Sequence, residues 1–163
     1  MLRVPPLRRR VRIEPIASLP QPEWLRMRIA LWPECDAATH LAEMRAFLAA
    51  PQRYAQFIAR SDAGAALGFA EASLRTDYVN GTRSSPVAFL EGLYVEPAAR
   101  RRGVARALVG AVRAWARRAG CTELASDALL SNRASRAAHA RLGFEETERV
   151  VCFRMGIASG DAA

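Results

Sequence analysis

The chain has few cysteines, few aromatic residues and no long apolar run, and each lack removes a class of protein. Its three cysteines, Cys35, Cys121 and Cys152, are odd in number and sit neither in pairs nor at metal-ligand spacing. They read as reduced, packed thiols, with no metal site implied. No apolar stretch approaches the roughly 20 residues that span a bilayer. The N-terminal MLRVPPLRRRV carries cations without the apolar core of a signal peptide, so a cytoplasmic location without a membrane partner is expected. Zinc-finger spacing, an RNP-like aromatic motif and a basic region leading into heptads are all missing. The formal charge of +8 would attract polyanions, yet nucleic acid is not expected as the main partner. There are no internal repeats and no low-complexity segment.

What is present fits one soluble globular domain. The 163 residues, 51% hydrophobic and 25% charged, can bury one core and are too few for two ordinary domains. We assign a flexible basic tail to residues 1–10, the domain to 11–156 and a flexible small-residue tail to 157–163. VRIEPI reads as a first strand, PEWLRMRIALW as a helix ended by Pro33, and AATHLAEMRAFLAA as a helix capped by Asp36. YAQFIA and ALGFAEASLR flank a hairpin turn at Gly64; the loop TDYVNGTRSSP then leads into VAFLEGLYV. Val104, Leu108, Ala111, Val112 and Trp115 recur at helical steps up to Gly120. TELASDA is expected as a strand, RASRAAHARL as a helix capped by Ser131 or Asn132, and ERVVCFRM as a final strand. The alternation in the second half calls for a parallel pair with a crossover helix inside a mixed α/β sheet.

One turn carries an electrostatic oddity. After LEGLYVEP, Arg100, Arg101 and Arg102 stand at the start of the helix that begins near Gly103, an end that normally attracts acids. A glycine-containing strand-to-helix turn presents outward N–H groups, so a phosphate there would make the arginines counter-charges. A solvated basic turn is the other reading. The spacing of Arg100, Gly103 and Ala105 satisfies Arg-x-x-Gly-x-Ala, which resembles the acetyl-CoA signature of the GCN5-related N-acetyltransferases (GNAT). The resemblance implies a GNAT fold: a mixed sheet of about six to seven strands flanked by about four helices, with a splayed parallel strand pair holding acetyl-CoA as cosubstrate. It implies pyrophosphate contacts at Arg101, Arg102, Gly103, Val104, Ala105 and Arg106, with Arg100 beside them and Asn132 on the last helix. It further implies a bulge at Gly92, pantetheine pairing along Leu93, Tyr94 and Val95, and a Leu93 N–H that polarises the thioester. A tolerated glycine on a half-exposed strand is the plain alternative at Gly92.

Acyl transfer to an amine needs a neutral nitrogen and therefore a group that takes its proton. Glu91, just before the glycine, is the best placed candidate, with Asp127 the other, and strand alternation puts Glu91 on the face of Phe89 and Leu93 unless a bulge changes the parity. Asp127 ends the strand ELASD, and Glu148 begins ERVVCFRM. Convergence of these three acids would suit a cationic acceptor; scattered surface acids are the alternative. ALWPE, GFAEASLRTDYVNGTRSSPVAFLEGLYVEP, ELASD and LGFEETERVV resemble the chromosomal bacterial aminoglycoside 6'-N-acetyltransferases over about residues 11 to 155. That resemblance implies antibiotic-resistance activity and an aminoglycoside pocket of Trp32, Tyr78, Glu91, Asp127 and Glu148. It also implies a homodimer. Trp32 and Tyr78 are otherwise anchors at the edge of the core. His139 occupies the position of the superfamily's usual acid tyrosine; it is either the acid for the departing thiolate or a packed helical histidine. Other amine acceptors, such as a polyamine or a protein N-terminus, stay open on the residues alone, as does a basic binding module on the same fold.

Overall fold

The computed structural model describes residues 11–156; both proposed tails lie outside the described residues. The elements follow in the order β1 (Arg12–Pro15), α1 (Pro22–Leu31), α2 (Ala37–Ala49), β2 (Tyr54–Arg60), β3 (Ala66–Arg75), β4 (Val87–Val95), α3 (Val104–Arg118), β5 (Leu124–Ala125) and α4 (Arg133–Leu142). A single 3₁₀ turn, Pro97–Ala99, joins β4 to the arginine turn. The five strands lie in sequence order, antiparallel from β1 to β4, with β5 parallel to β4.

Local chemistry accounts for most boundaries. Pro22 opens α1, where its missing N–H has no partner to lose. Asp36 caps α2 by accepting from the Thr39 N–H at 2.7 Å. Gly64, Gly120 and Gly143 each adopt positive φ where a hairpin or helix ends.

Period-two alternation divides the sheet between two layers. Phe57, Ala59, Ala70, Ala72 and Leu90 pack beneath Val104, Leu108, Val109 and Val112 of α3. Ile58 and Phe69 turn the other way, against Trp24, Met27 and Met44 of α1 and α2. Each large side chain in these layers contributes roughly 1.5–3 kcal/mol by leaving water.

Two expectations fail, both after α3. TELASDA forms only the two-residue strand Leu124–Ala125, and ERVVCFRM forms none, so the sheet has five strands among the described residues rather than six or seven. A strand needs a neighbour to take its backbone groups, and β5 is too short an edge to supply one. Val150, Val151, Phe153 and Met155 are consequently exposed, Phe153 at 92%.

Candidate active site

The parallel pair holds only at its first residues. Ala88 faces Leu124 and Phe89 faces Ala125, and the last link is the Ser126 hydroxyl donating to the Leu90 carbonyl at 3.1 Å. Beyond it β4 continues with no β5 residue beside it. The Glu96 N–H turns to Leu67 O on β3 at 2.9 Å. By alternation Leu93 and Val95 turn their backbone groups the other way, into the gap.

A bulge sits at the mouth of that gap. Gly92 pairs with Glu71 and Leu90 with Ala72, leaving Glu91 as the extra residue. The parity of the strand changes there. Glu91 reaches Ser73 on the α1–α2 face, whereas Leu93 packs into the α3 layer. Glu91 therefore does not share a face with Leu93, as simple alternation would have it. Gly92 is buried for a packing reason: a Cβ on it would fall 2.5 Å from Cη2 of Trp32.

Past the gap, the chain makes the arginine turn. Arg101 has φ 60 and Gly103 φ 84, and no side chain caps α3 nor does an acid occupy its first turn. The orphan N–H groups of the first turn point out among the exposed Arg101, Arg102, Gly103 and Arg106, while Val104 is buried and Ala105 half-buried. Nothing lies within 4 Å of a Cβ position at Gly103, so the approach to these amides is open. Arg100 bends back, its Nε donating to Val95 O at 3.0 Å. This donor set fits a diphosphate.

On the α1–α2 face lies a cleft of about 440 Å³ lined by Arg28, Trp32, Cys35, His40, Glu43, Phe47, Tyr54, Glu71 and Glu91. Glu91 accepts from both the Ser73 hydroxyl at 2.5 Å and the Arg75 guanidinium at 2.9 Å. Behind it, Arg28 is buried and grips Glu71 through Nη1 at 2.5 Å and Glu43 through Nη2. Trp24 Nε1 donates to the same Glu71 carboxylate at 2.6 Å. Burial pushes the Glu71 carboxyl up from its ordinary value, against the pull of Arg28 and the Trp24 N–H. Three carboxylates, Glu43, Glu71 and Glu91, therefore line the cleft with the Arg28 guanidinium, and Arg75 engages Glu91 from beside it.

The remaining predicted residues are more dispersed. Trp32 and Glu91 share the cleft, but Tyr78 is 78% exposed and lines a separate hollow formed by residues 76–79 and 82–85. Asp127 is exposed at the end of β5, directly after the Ser126 link, and Glu148 is exposed in the irregular segment. Glu148 follows Thr147, which fills the space beside Gly81 and so pins this segment to the Tyr78 loop. Tyr94 stacks on Phe69 with ring centroids 6.4 Å apart. The Asn132 side chain caps α4, accepting from Ser135 N at 3.0 Å. His139 stands at the vertex of the splay, Nδ1 2.8 Å from Ser135 O and Nε2 2.9 Å from Ser126 Oγ.

Sequence reasoning missed Arg28, His40, Glu43 and Glu71. The available signal was Glu71 itself, a charge inside the otherwise apolar strand ALGFAEASL. Among the described residues no helix is long and apolar enough to cross a membrane.

The chain is similar to known proteins. The acetyltransferase (GNAT) family model matches residues 15–144. The aminoglycoside N(6')-acetyltransferase type 1 of Serratia marcescens is 54% identical over 131 residues, 80% of this chain and 89% of that one. Its counterpart from Acinetobacter genomosp. 13 is 52% identical over 145 residues, 89% of this chain and 98% of its own. The structure of AAC(6')-Iy in complex with the bisubstrate analogue CoA-S-monomethyl-acetylneamine superposes with a TM-score of 0.85 at 45% identity, over 91% of this chain and 99% of that one.

Proposed function

The chain belongs to the acetyltransferase (GNAT) family, and on that premise we propose that it transfers the acetyl group of acetyl-CoA to the 6'-amine of aminoglycoside antibiotics, conferring resistance to them. The observation that carries this reading is the coincidence of three parts around the second half of β4: the gap opened at Ser126 and Leu90, the uncapped arginine turn, and the carboxylate-lined cleft that begins at Glu91. The first two suit the long anionic cosubstrate. The third suits a polycation. The relatives named above, aligned over most of their own length, support the same choice of acceptor.

In this reading Leu93 and Val95 align the pantetheine arm in the gap, and the N–H groups from Arg101 to Arg106 hold the pyrophosphate. The Leu93 N–H donates to the thioester carbonyl oxygen as negative charge builds on it. Trp32 and Tyr78 supply flat apolar contact for sugar rings, and Glu91, Asp127 and Glu148 answer ammonium groups. Glu91 is engaged by Arg75 and Ser73, whereas Asp127 has no hydrogen bond or ion pair among the described residues; Asp127 is the better base, directly or through a water. His139, hydrogen-bonded at the vertex, is placed to return a proton on the cosubstrate side. Exposure of Val150, Val151, Phe153 and Met155 supports a homodimer in which a second copy covers that apolar segment.

The test is turnover of acetyl-CoA with paired aminoglycosides that differ only in a 6'-amine or a 6'-hydroxyl, followed by thiol release. Turnover confined to the amine members is the expected result. Equal rates for both members, or none for either, would overturn the assignment.

A further inference from the structure

The buried end of the cleft contains a titratable group that the reaction does not use. His40 is 1% exposed. Its Nδ1 lies 3.3 Å from Arg28 Nε, and its Nε2 lies 3.3 Å from the backbone carbonyl of Trp32. Arginine has only protons to offer and a carbonyl only lone pairs. One form of the ring satisfies both neighbours: neutral, with Nδ1 accepting from Arg28 and Nε2–H donating to Trp32 O.

Both ends of that link bear on Trp32. Its carbonyl belongs to the residue that ends α1 and is shared with Cys35 N–H at 3.2 Å. Its ring has the Arg28 guanidinium 4.9 Å from its centroid on one side and Gly92 against its edge. His40 therefore holds the backbone of Trp32 to the same arginine that supports its ring. The charged groups around the imidazole are Arg28 from α1, Glu43 from its own helix and Asp36 that caps it, Glu71 from β3 and Glu91 from β4 across the cleft. Arg28 already binds both Glu43 and Glu71, and its Nε–H is what faces Nδ1. A proton added to Nδ1 would meet that N–H head on, breaking the link and placing two cations in contact.

We propose that His40 is a positioning residue for the acceptor wall, which in its neutral form locks Trp32 over Gly92 and on protonation releases it. Acceptor affinity then falls on acidification through the hold on Trp32. The inference rests on the aminoglycoside reading for its kinetic consequence and on the free protein for its structural one.

The experiment compares the full chain with His40→Leu and His40→Gln. A glutamine amide offers the same acceptor and donor and does not titrate. His40→Leu should raise acceptor KM roughly tenfold with kcat and acetyl-CoA KM little altered, as expected for two lost hydrogen bonds. His40→Gln should recover most of that loss. The ratio of wild-type to His40→Gln kcat/KM should decline toward acid pH, a comparison that cancels titration of the acceptor's own amines. The chain has two histidines, so ring nitrogen NMR resolves His40 once His139→Gln identifies the other signal. A neutral His40 protonated on Nε2 is expected, with a titration midpoint that matches both the kinetic ratio and the Trp32 fluorescence, read as the difference from Trp32→Phe. An Nδ1–H tautomer, a pH-independent ratio, or equal losses in kcat and in cosubstrate binding would each overturn the proposal. Should wild type turn over no aminoglycoside, the proposed function fails, while the NMR and fluorescence arms still decide the role of His40.

Discussion

The indole of Trp32 occupies the space that a side chain at residue 92 would need, so the bulged strand and the end of α1 are fitted to each other. The contact atom is the far edge of a ring, and that ring, rather than the strand, is what an added methyl would displace. Gly92→Ala should lower stability by about 1–3 kcal/mol. Its larger effect should fall on the acceptor, with KM rising while cosubstrate affinity holds. Thermal unfolding and steady-state kinetics on the same preparation check both parts.

Arg28 and Glu71 make the buried ion pair beneath that wall. Arg28→Met would leave the carboxylate without its main partner, a loss of about 3–5 kcal/mol for breaking such a pair from one side. The sign with pH follows from the raised Glu71 value. A carboxyl whose folded value is raised favours the fold below its unfolded value and loses that contribution as pH rises through the folded one. The variant should therefore be most stable at acid pH and weaken toward neutrality relative to wild type, as denaturant titrations across pH would show.

The arginine turn stores two left-handed residues of opposite consequence. Gly103→Ala meets no atom but must adopt positive φ, at roughly 1–2 kcal/mol, and any relaxation of the turn misdirects the amides. Arg101→Gly relieves its own strain and removes a charge. We expect the first to lower Tm and the second to preserve or raise it, with both weakening coenzyme A in calorimetry.

The carboxylates at the mouth of the gap should separate by kinetics. Asp127→Asn should lower kcat and shift the acid limb of its pH profile. Glu91→Gln should raise acceptor KM by about tenfold or more, the range for a lost charge-assisted hydrogen bond, and leave that limb in place. A shifted limb in Glu91→Gln alone would reverse the two roles.

The exposed segment after residue 149 supplies a prediction about assembly. On the proposed homodimer, Phe153→Asp should convert the dimer to a monomer in sedimentation, because a charge on a covered face must be desolvated without a partner. A wild-type chain that is monomeric at micromolar concentration would remove the basis for it.

Where neighbouring residues carry the determinant, the sequence is explicit. The Asp36 cap, the Gly64 hairpin, the stripe from Val104 to Trp115 and the arginine turn were all legible, since each depends on contacts within a few residues. TELASDA and ERVVCFRM were misjudged because a strand depends on a partner edge, and propensity does not reveal whether one is present.

The amino-acid order by itself determined the helical stripe from Val104 to Trp115, the placement of an arginine-rich, glycine-containing turn between a strand and its helix, and the family to which they belong. Tertiary structure alone decided which face Glu91 takes, because a one-residue bulge reverses parity midway along β4. It alone decided, too, that Arg28, His40, Glu43 and Glu71 meet behind Trp32. Those four come from α1, α2 and β3, and only the stacking of both helices on the sheet makes them neighbours, since burying a charge is tolerable only where distant segments bring it a partner.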